Sequence, residues 1–272
     1  MTRPAIRVDR LVKTYGGGRR LFGGARNVVH AVRGVSLELQ AGETLAVVGE
    51  SGSGKSTLAR MLVGLTAPSA GNIEIDGQAW MSLAKAGPQA FGRAIQYVFQ
   101  DPVASLNPRK TVADILDVPL RLLARLDGPA RRARMSRLLD AVQMPADSLK
   151  RYPHEFSGGQ AQRIAIARAL AAEARIIVLD EPVSALDVSV QAQILLLLEE
   201  LKAEFELSYL FISHDLAVVE AIADRVAVML QGEVVESGAA RSLFAAPAHA
   251  YTRTLLASAP RLRRPPPPQD RP

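Results

Sequence analysis

The sequence predicts an α/β fold: a parallel sheet covered on both faces by helices, an antiparallel β subdomain beside it, and an inserted helical subdomain. Three observations lead there. Short, β-branched apolar runs recur at 45–49 (LAVVG), 95–99 (IQYVF), 176–180 (IIVLD) and 209–213 (YLFIS), and runs of this kind read as strands buried on both faces. Segments with helical spacing or strong helix formers, at 57–65, 160–172, 190–206 and 216–223, lie between or after them, the alternation that builds parallel sheets. The first forty residues and 72–80 (NIEIDGQAW) instead alternate around glycine turns, as antiparallel strands do.

Along the chain, residues 1–100 supply the antiparallel strands, the first two apolar strands and the helix near 57. The stretch 110–150 reads as helical throughout, broken at Asp127-Gly128-Pro129 and at Pro145. Lying between two sheet strands, it predicts a helical subdomain bounded at 101–157. The core resumes over 158–241, so 1–260 is expected to form a single domain. From 242 to 272 the chain reads as a C-terminal extension, and its end, Pro265-Pro266-Pro267-Pro268, as extended and mobile.

With 48% apolar residues in 272, a sizeable core is available. Cysteine is absent, which excludes disulfides, thiolate zinc sites, cysteine nucleophiles and thiolate-held iron–sulfur clusters. The first residues contain no apolar stretch that could serve as a signal peptide, and the richest apolar run, Ile194 to Leu198, stops at Glu199. The chain is therefore expected not to cross a membrane by itself. A net charge of +6 invites a nucleic-acid reading. The excess, however, sits in two places: Arg19, Arg20 and Arg26 without an acid in 16–30, and Arg261, Arg263, Arg264 and Arg271 against Asp270 at the end. The rest is neutral, and the arginine-rich stretch 121–137 reads as a solvated helix face. No nucleic-acid partner is expected.

Gly49-Glu50-Ser51-Gly52-Ser53-Gly54-Lys55-Ser56 fits G-x-x-x-x-G-K-[ST] between an apolar strand and a helix opening at Thr57. Glycines let successive backbone N–H groups turn inward around phosphate oxygens, and the helix N-terminus adds its dipole. In such a loop Lys55 reaches the β- and γ-phosphates and Ser56 holds Mg²⁺. Asp180 and Glu181 close IIVLDE. An acid at that place positions Mg²⁺ through water, and the carboxylate beside it can polarise an attacking water as general base. Gln100 follows IQYVF and His214 follows YLFIS. Each of these groups lies just beyond the C-terminal end of a separate strand, and in a parallel sheet those ends share one edge, where ligands bind. Ser157-Gly158-Gly159-Gln160 opens a further helix, AQRIAIARAL; serine can cap it while the glycines bare its amides, making a second anion-binding terminus.

In order and spacing, the loop at 49–56, Gln100, SGGQ at 157–160, Asp180-Glu181, Ser184-Ala185-Leu186-Asp187 and His214 resemble the ATP-binding subunit of an ABC transporter, over about residues 5–260. The resemblance implies a P-loop NTPase core of the RecA-like type and a head-to-tail dimer holding two ATP molecules with Mg²⁺, each phosphate loop facing the partner's SGGQ helix. It implies catalytic parts for Glu181, His214 and Gln100, with Ser56, Gln100 and Asp180 at the metal. ATP would be held by 49–57 and, across the dimer, by Ser157 to Gln160 and Asp187. Tyr15 matches the position where that family stacks a ring on adenine; a buried strand aromatic is the other reading. Ala161 stands where the family often has a polar residue.

DPVASLNPRKTV after Gln100 and PAHAYTRTLLASAP near the end resemble the ATPases of dipeptide, oligopeptide and nickel importers, with Ala250 where that group often has proline. Such importers imply integral-membrane permeases, a second ATPase subunit identical or different, an extracellular or periplasmic solute-binding protein acting indirectly, and a peripheral place on the cytoplasmic face of the inner membrane. Two other classes fit less well. ABC ATPases acting on nucleic acid carry coiled coils, zinc-binding cysteines or two ATPase halves, and a small-molecule P-loop kinase leaves SGGQ and SALD unexplained.

Overall fold

The computed structural model describes residues 3–16 and 28–258, so the expectations for the basic stretch within 17–27 and for the proline-rich end lie outside the described residues. The chain runs β1 (Ile6–Tyr15), β2 (Val29–Leu39), β3 (Thr44–Val48), α1 (Lys55–Leu62), β4 (Ala70–Ile75), β5 (Gln78–Ala79), α2 (Trp80–Ala86), α3 (Pro88–Ala94) and β6 (Gln96–Val98). The helical insert follows: α4 (Pro102–Ser105), α5 (Val112–Leu122), α6 (Gly128–Ala141) and 3₁₀ turns at Ala146–Lys150 and Pro153–Glu155. Next come α7 (Gly158–Leu170), β7 (Ile176–Asp180), α8 (Val188–Glu204), β8 (Ser208–Ser213), α9 (Leu216–Ile222), β9 (Arg225–Leu230), β10 (Glu233–Ala239), α10 (Ala240–Ala245) and α11 (Ala250–Ser258).

The larger sheet has the order β10-β9-β3-β8-β7-β6, parallel from β9 to β6, with β10 antiparallel at the edge. Its strands are apolar on both faces because both are covered. Leu45 and Val47 pack with α1 and the smaller sheet, while Ala46 and Val48 pack with α5 to α9 on the other side. The smaller sheet, β2-β1-β4-β5, is antiparallel. It turns Ile6, Val8, Leu11, Val35, Ile73 and Ile75 inward, which is the alternation of a sheet with one wet face.

Two features differ from expectation. Trp80, read with the strand 72–80, instead opens α2, where its indole N–H donates to the Met61 carbonyl at 2.7 Å and its ring meets Phe91 edge-on. A buried indole needs an acceptor, and the end of α1 supplies it. β9 and β10 add two strands beyond the four apolar runs; β10 is half-exposed and rich in Glu, Gly and Ser, so it carries no apolar run. The break expected at Asp127-Gly128-Pro129 is present and starts α6: the Asp127 carboxylate accepts the Ala130 N–H at 2.9 Å, and Pro129 sits in the first turn, where its missing donor costs nothing. In the arginine-rich stretch Arg131 is no mere surface charge. It bonds Asp117 at 2.6 Å and the Leu126 carbonyl at 2.9 Å, tying α6 to α5.

Candidate functional site

The loops that leave β3, β6, β7 and β8 meet at one edge of the large sheet and enclose a cleft of about 710 Å³. Ser51, Gly52, Gly54, Lys55, Ser56 and Thr57 line it together with Gln100, Glu181 and His214, and His30, Arg33 and Gln231 form a further wall. The loop's turn needs its glycines. At Gly49, φ is 149°, and a Cβ there would stand 2.1 Å from the Met229 carbonyl oxygen; at Gly54, φ is 106°, and a Cβ would stand 2.3 Å from that of Ala31. Backbone this close to backbone admits no side chain.

Lys55 opens α1 and folds back over the loop, its Nζ donating to the Gly49 and Glu50 carbonyls at 2.7 and 2.8 Å. Burial lowers its pKa, and the carboxylates of Glu181, Asp180 and Glu50 work against that shift. Asp180 ends β7 and is buried. One of its oxygens accepts from the Ser56 hydroxyl at 3.3 Å and the other from the Tyr97 hydroxyl at 2.5 Å. Burial, and then the bond and charge of Asp180, push the Tyr97 phenol well above the ordinary range, so it remains a donor.

Glu181 takes φ of 49°, a left-handed backbone that a non-glycine residue adopts at a cost of order 1–3 kcal/mol and that clusters at functional sites. This turn aims the carboxylate across the cleft floor. There it accepts from Gln100 Nε2 at 2.8 Å and lies 3.0 Å from His214 Nδ1. Gln100, hydrogen-bonded to Glu181, and His214, in close contact with it, thus form one row beside the Ser56–Asp180 pair. A hydroxyl and a carboxylate at a phosphate loop are hard oxygen donors of the type that suits Mg²⁺, and a carboxylate flanked by an amide and an imidazole can hold and deprotonate a water.

The remaining expected residues lie apart from the cleft lining. Tyr15, the last residue of β1, is 42% exposed, which excludes a buried strand aromatic; it pairs with Val29 at the cleft rim, with Lys13 Nζ 5.0 Å from its ring centre. Ser157 caps α7, accepting the Gln160 N–H at 3.4 Å while Gln160 Oε1 accepts the Ser157 N–H at 3.1 Å. A Cβ at Gly159 would stand 2.5 Å from Val190, so this terminus lies against the start of α8. Asp187 caps α8 through the Val190 N–H at 3.0 Å, and that bond, with the Ser189 hydroxyl, holds its carboxyl below the usual range.

Sequence reasoning missed Tyr97. A hydroxyl inside an apolar strand signals that a partner exists, but nothing local says the partner is 83 residues away. Tyr97→Phe is expected to destabilise the fold by about 1–3 kcal/mol, because it strips a donor from a buried carboxylate. A urea melt showing a loss under about 0.5 kcal/mol would contradict that assignment.

Residues 32–184 match the ABC transporter family, and residues 235–271 match the family described as the oligopeptide/dipeptide transporter C-terminal region. A Brucella abortus (strain 2308) protein named as a peptide import ATP-binding protein is 51% identical over 260 residues, covering 95% of this chain and 78% of that one. The glutathione import ATP-binding protein GsiA of Escherichia coli (strain K12) is 50% identical over 257 residues, covering 94% of this chain and 41% of GsiA. Among solved structures, a dimeric ATP-binding cassette in a post-hydrolysis state bound to ADP and Pi superposes with TM-score 0.76 at 30% identity, covering 87% of this chain and 99% of that one. The cbiO1 subunit from Clostridium perfringens, part of the ABC transporter complex cbiONQ, gives TM-score 0.76 at 28% identity, covering 89% and 91%.

Proposed function

Because the chain belongs to the ABC transporter family, as an ATP-binding subunit of its oligopeptide/dipeptide importer branch, we propose that its cleft binds and hydrolyses Mg-ATP to drive uptake of small peptides. The observation that carries this reading is the row Gln100–Glu181–His214 set beside Lys55 and the Ser56–Asp180 pair in one cleft. ATP enters with its phosphates in the loop 49–57, where Lys55 exchanges its carbonyl partners for phosphate oxygens. Ser56, its partner Asp180 and Gln100 are the residues that would hold Mg²⁺. Mg²⁺ held there would supply neutralisation of the charge developing on the β- and γ-phosphates.

Glu181 accepts a proton from the attacking water as its oxygen bonds to the γ-phosphorus, and the bond from that phosphorus to the ADP oxygen breaks. One carboxylate oxygen accepts from Gln100, and the other lies 3.0 Å from His214 Nδ1. A carboxylate has about four acceptor positions, so room for the water remains. His214, whose side chain is more than half exposed, lines the same cleft, which supports a contact with the γ-phosphate as it is transferred. Tyr15 at the rim supplies an exposed ring for adenine.

The helix start at Ser157 to Gln160 and the cap of Asp187 lie outside the lining of their own cleft, which supports their completing the site of a second ATPase subunit. Permease docking is supported by a second, largely apolar groove of about 500 Å³, lined by Leu65, Pro88, Phe91 and Phe99 around α2, α3 and β6 and by Arg168 of α7. Exposed Val103, Val118 and Leu122 continue that apolar character. No helix among the described residues is long and apolar enough to cross a membrane, in keeping with a peripheral place on the cytoplasmic face, under permeases whose solute arrives from an external binding protein.

The test is Ser157→Arg. A bulky cation at the α7 terminus is expected to leave ATP affinity within about twofold, since the chain's own loop is untouched, and to cut turnover of the assembled transporter at least about tenfold. The second figure is the scale of one lost oxyanion contact, or less. Unchanged turnover would place the SGGQ helix outside the catalytic site.

A further inference from the structure

We infer that Tyr251 of the C-terminal helix is a positioning residue for nucleotide binding, holding the peptide that carries Lys55. The hydroxyl of Tyr251 accepts the backbone N–H of Glu50 at 3.1 Å, a contact across 201 residues. That N–H and the Gly49 carbonyl belong to one peptide unit, and the carbonyl takes Lys55 Nζ at 2.7 Å. One planar group is therefore gripped at both ends, by the C-terminal helix and by the phosphate-binding lysine. The peptide has little other freedom, because Gly49 passes directly over the Met229 carbonyl.

The holder is itself fixed. Glu236 on β10 accepts the N–H groups of Ala248 and His249 at 2.8 and 3.0 Å, and His249 Nδ1 accepts that of Tyr251 at 3.2 Å. Arg253 bonds back to the Ala248 carbonyl at 2.8 Å, and the Tyr251 ring packs on the main core. Ala250 opens α11, a position that tolerates proline equally well. The described part of the segment PAHAYTRTLLASAP, residues 247–258, thus acquires a physical role: it braces the loop that cradles phosphate.

This inference rests on the ATP-binding reading, and the test separates the two. Mg-ATP is titrated calorimetrically into the full chain, wild type, Tyr251→Phe and Lys55→Ala, and the thermal midpoint of each is measured without nucleotide. Tyr251→Phe keeps the ring and removes only the acceptor. It is expected to weaken ATP binding about three- to tenfold, the scale of one hydrogen bond. Its nucleotide-free midpoint should move by less than about 4 °C. Affinity within about 1.5-fold of wild type, with Lys55→Ala impaired, would overturn the positioning role and leave the ATP-binding reading standing. A midpoint drop beyond about 4 °C would make the role of Tyr251 purely structural. Undiminished affinity in Lys55→Ala would overturn both.

Discussion

Glu181→Gln is expected to bind ATP as tightly as the wild type and to hydrolyse it at least about 100-fold more slowly, the lower end of what a positioned general base contributes. The amide has the shape of the carboxylate. One oxygen still accepts from Gln100, now 2.8 Å from Glu181 Oε2, and the amide N–H₂ can donate to His214 Nδ1 across the present 3.0 Å. The substitution removes basicity, so the water has no acceptor for its proton. The left-handed backbone at residue 181 is unaffected, because glutamine has the same stereochemistry there. Steady-state phosphate release reports the rate, and retention of ATP on a dimer can be followed by size-exclusion chromatography with Mg-ATP. Turnover within tenfold of wild type would remove Glu181 from the role of base.

Lys55→Ala acts on binding instead. In the wild type the ammonium stands amid Glu181, Asp180 and Glu50, whose charges counter the depression of its pKa by burial. Without it, an anionic triphosphate would enter a cleft whose floor holds carboxylates, and the loop itself would offer no cation to the phosphates. An exposed ion pair is worth at most about 1 kcal/mol, but hydrogen bonds to charged groups in a closed site are worth about 1.5–3 kcal/mol. ATP affinity should therefore fall roughly 10- to 100-fold, at 1.4 kcal/mol per tenfold. Stabilisation by ligand follows occupancy, so a concentration of ATP that raises the thermal midpoint of the wild type should leave the variant nearly unmoved.

The parts of the site that were legible in the sequence are those governed by strand ends. Lys55, Gln100, Asp180, Glu181 and His214 each follow or close a buried apolar run, and parallel pairing of β3, β6, β7 and β8 places those ends on one edge. Geometry common to every parallel sheet thus converts sequence positions into a cleft. Tyr97 and Tyr251 were not legible, because their work depends on partners 83 and 201 residues distant. Trp80 escaped for the same reason: only the Met61 carbonyl, on a separate helix, explains why a strand-like run becomes α2. Ser157 shows how one residue can carry two meanings. Its hydroxyl caps its own helix, as any N-cap serine does, and the glycines after it put no side chain over the same helix end.

The central claim is that the loop 49–57 cradles the phosphates of ATP through Lys55. Calorimetric titration of Mg-ATP into wild-type and Lys55→Ala chains, side by side, tests it most directly. Saturable binding by the wild type, weakened at least about tenfold in the variant, is the predicted result. Equal affinities in the two chains would contradict it.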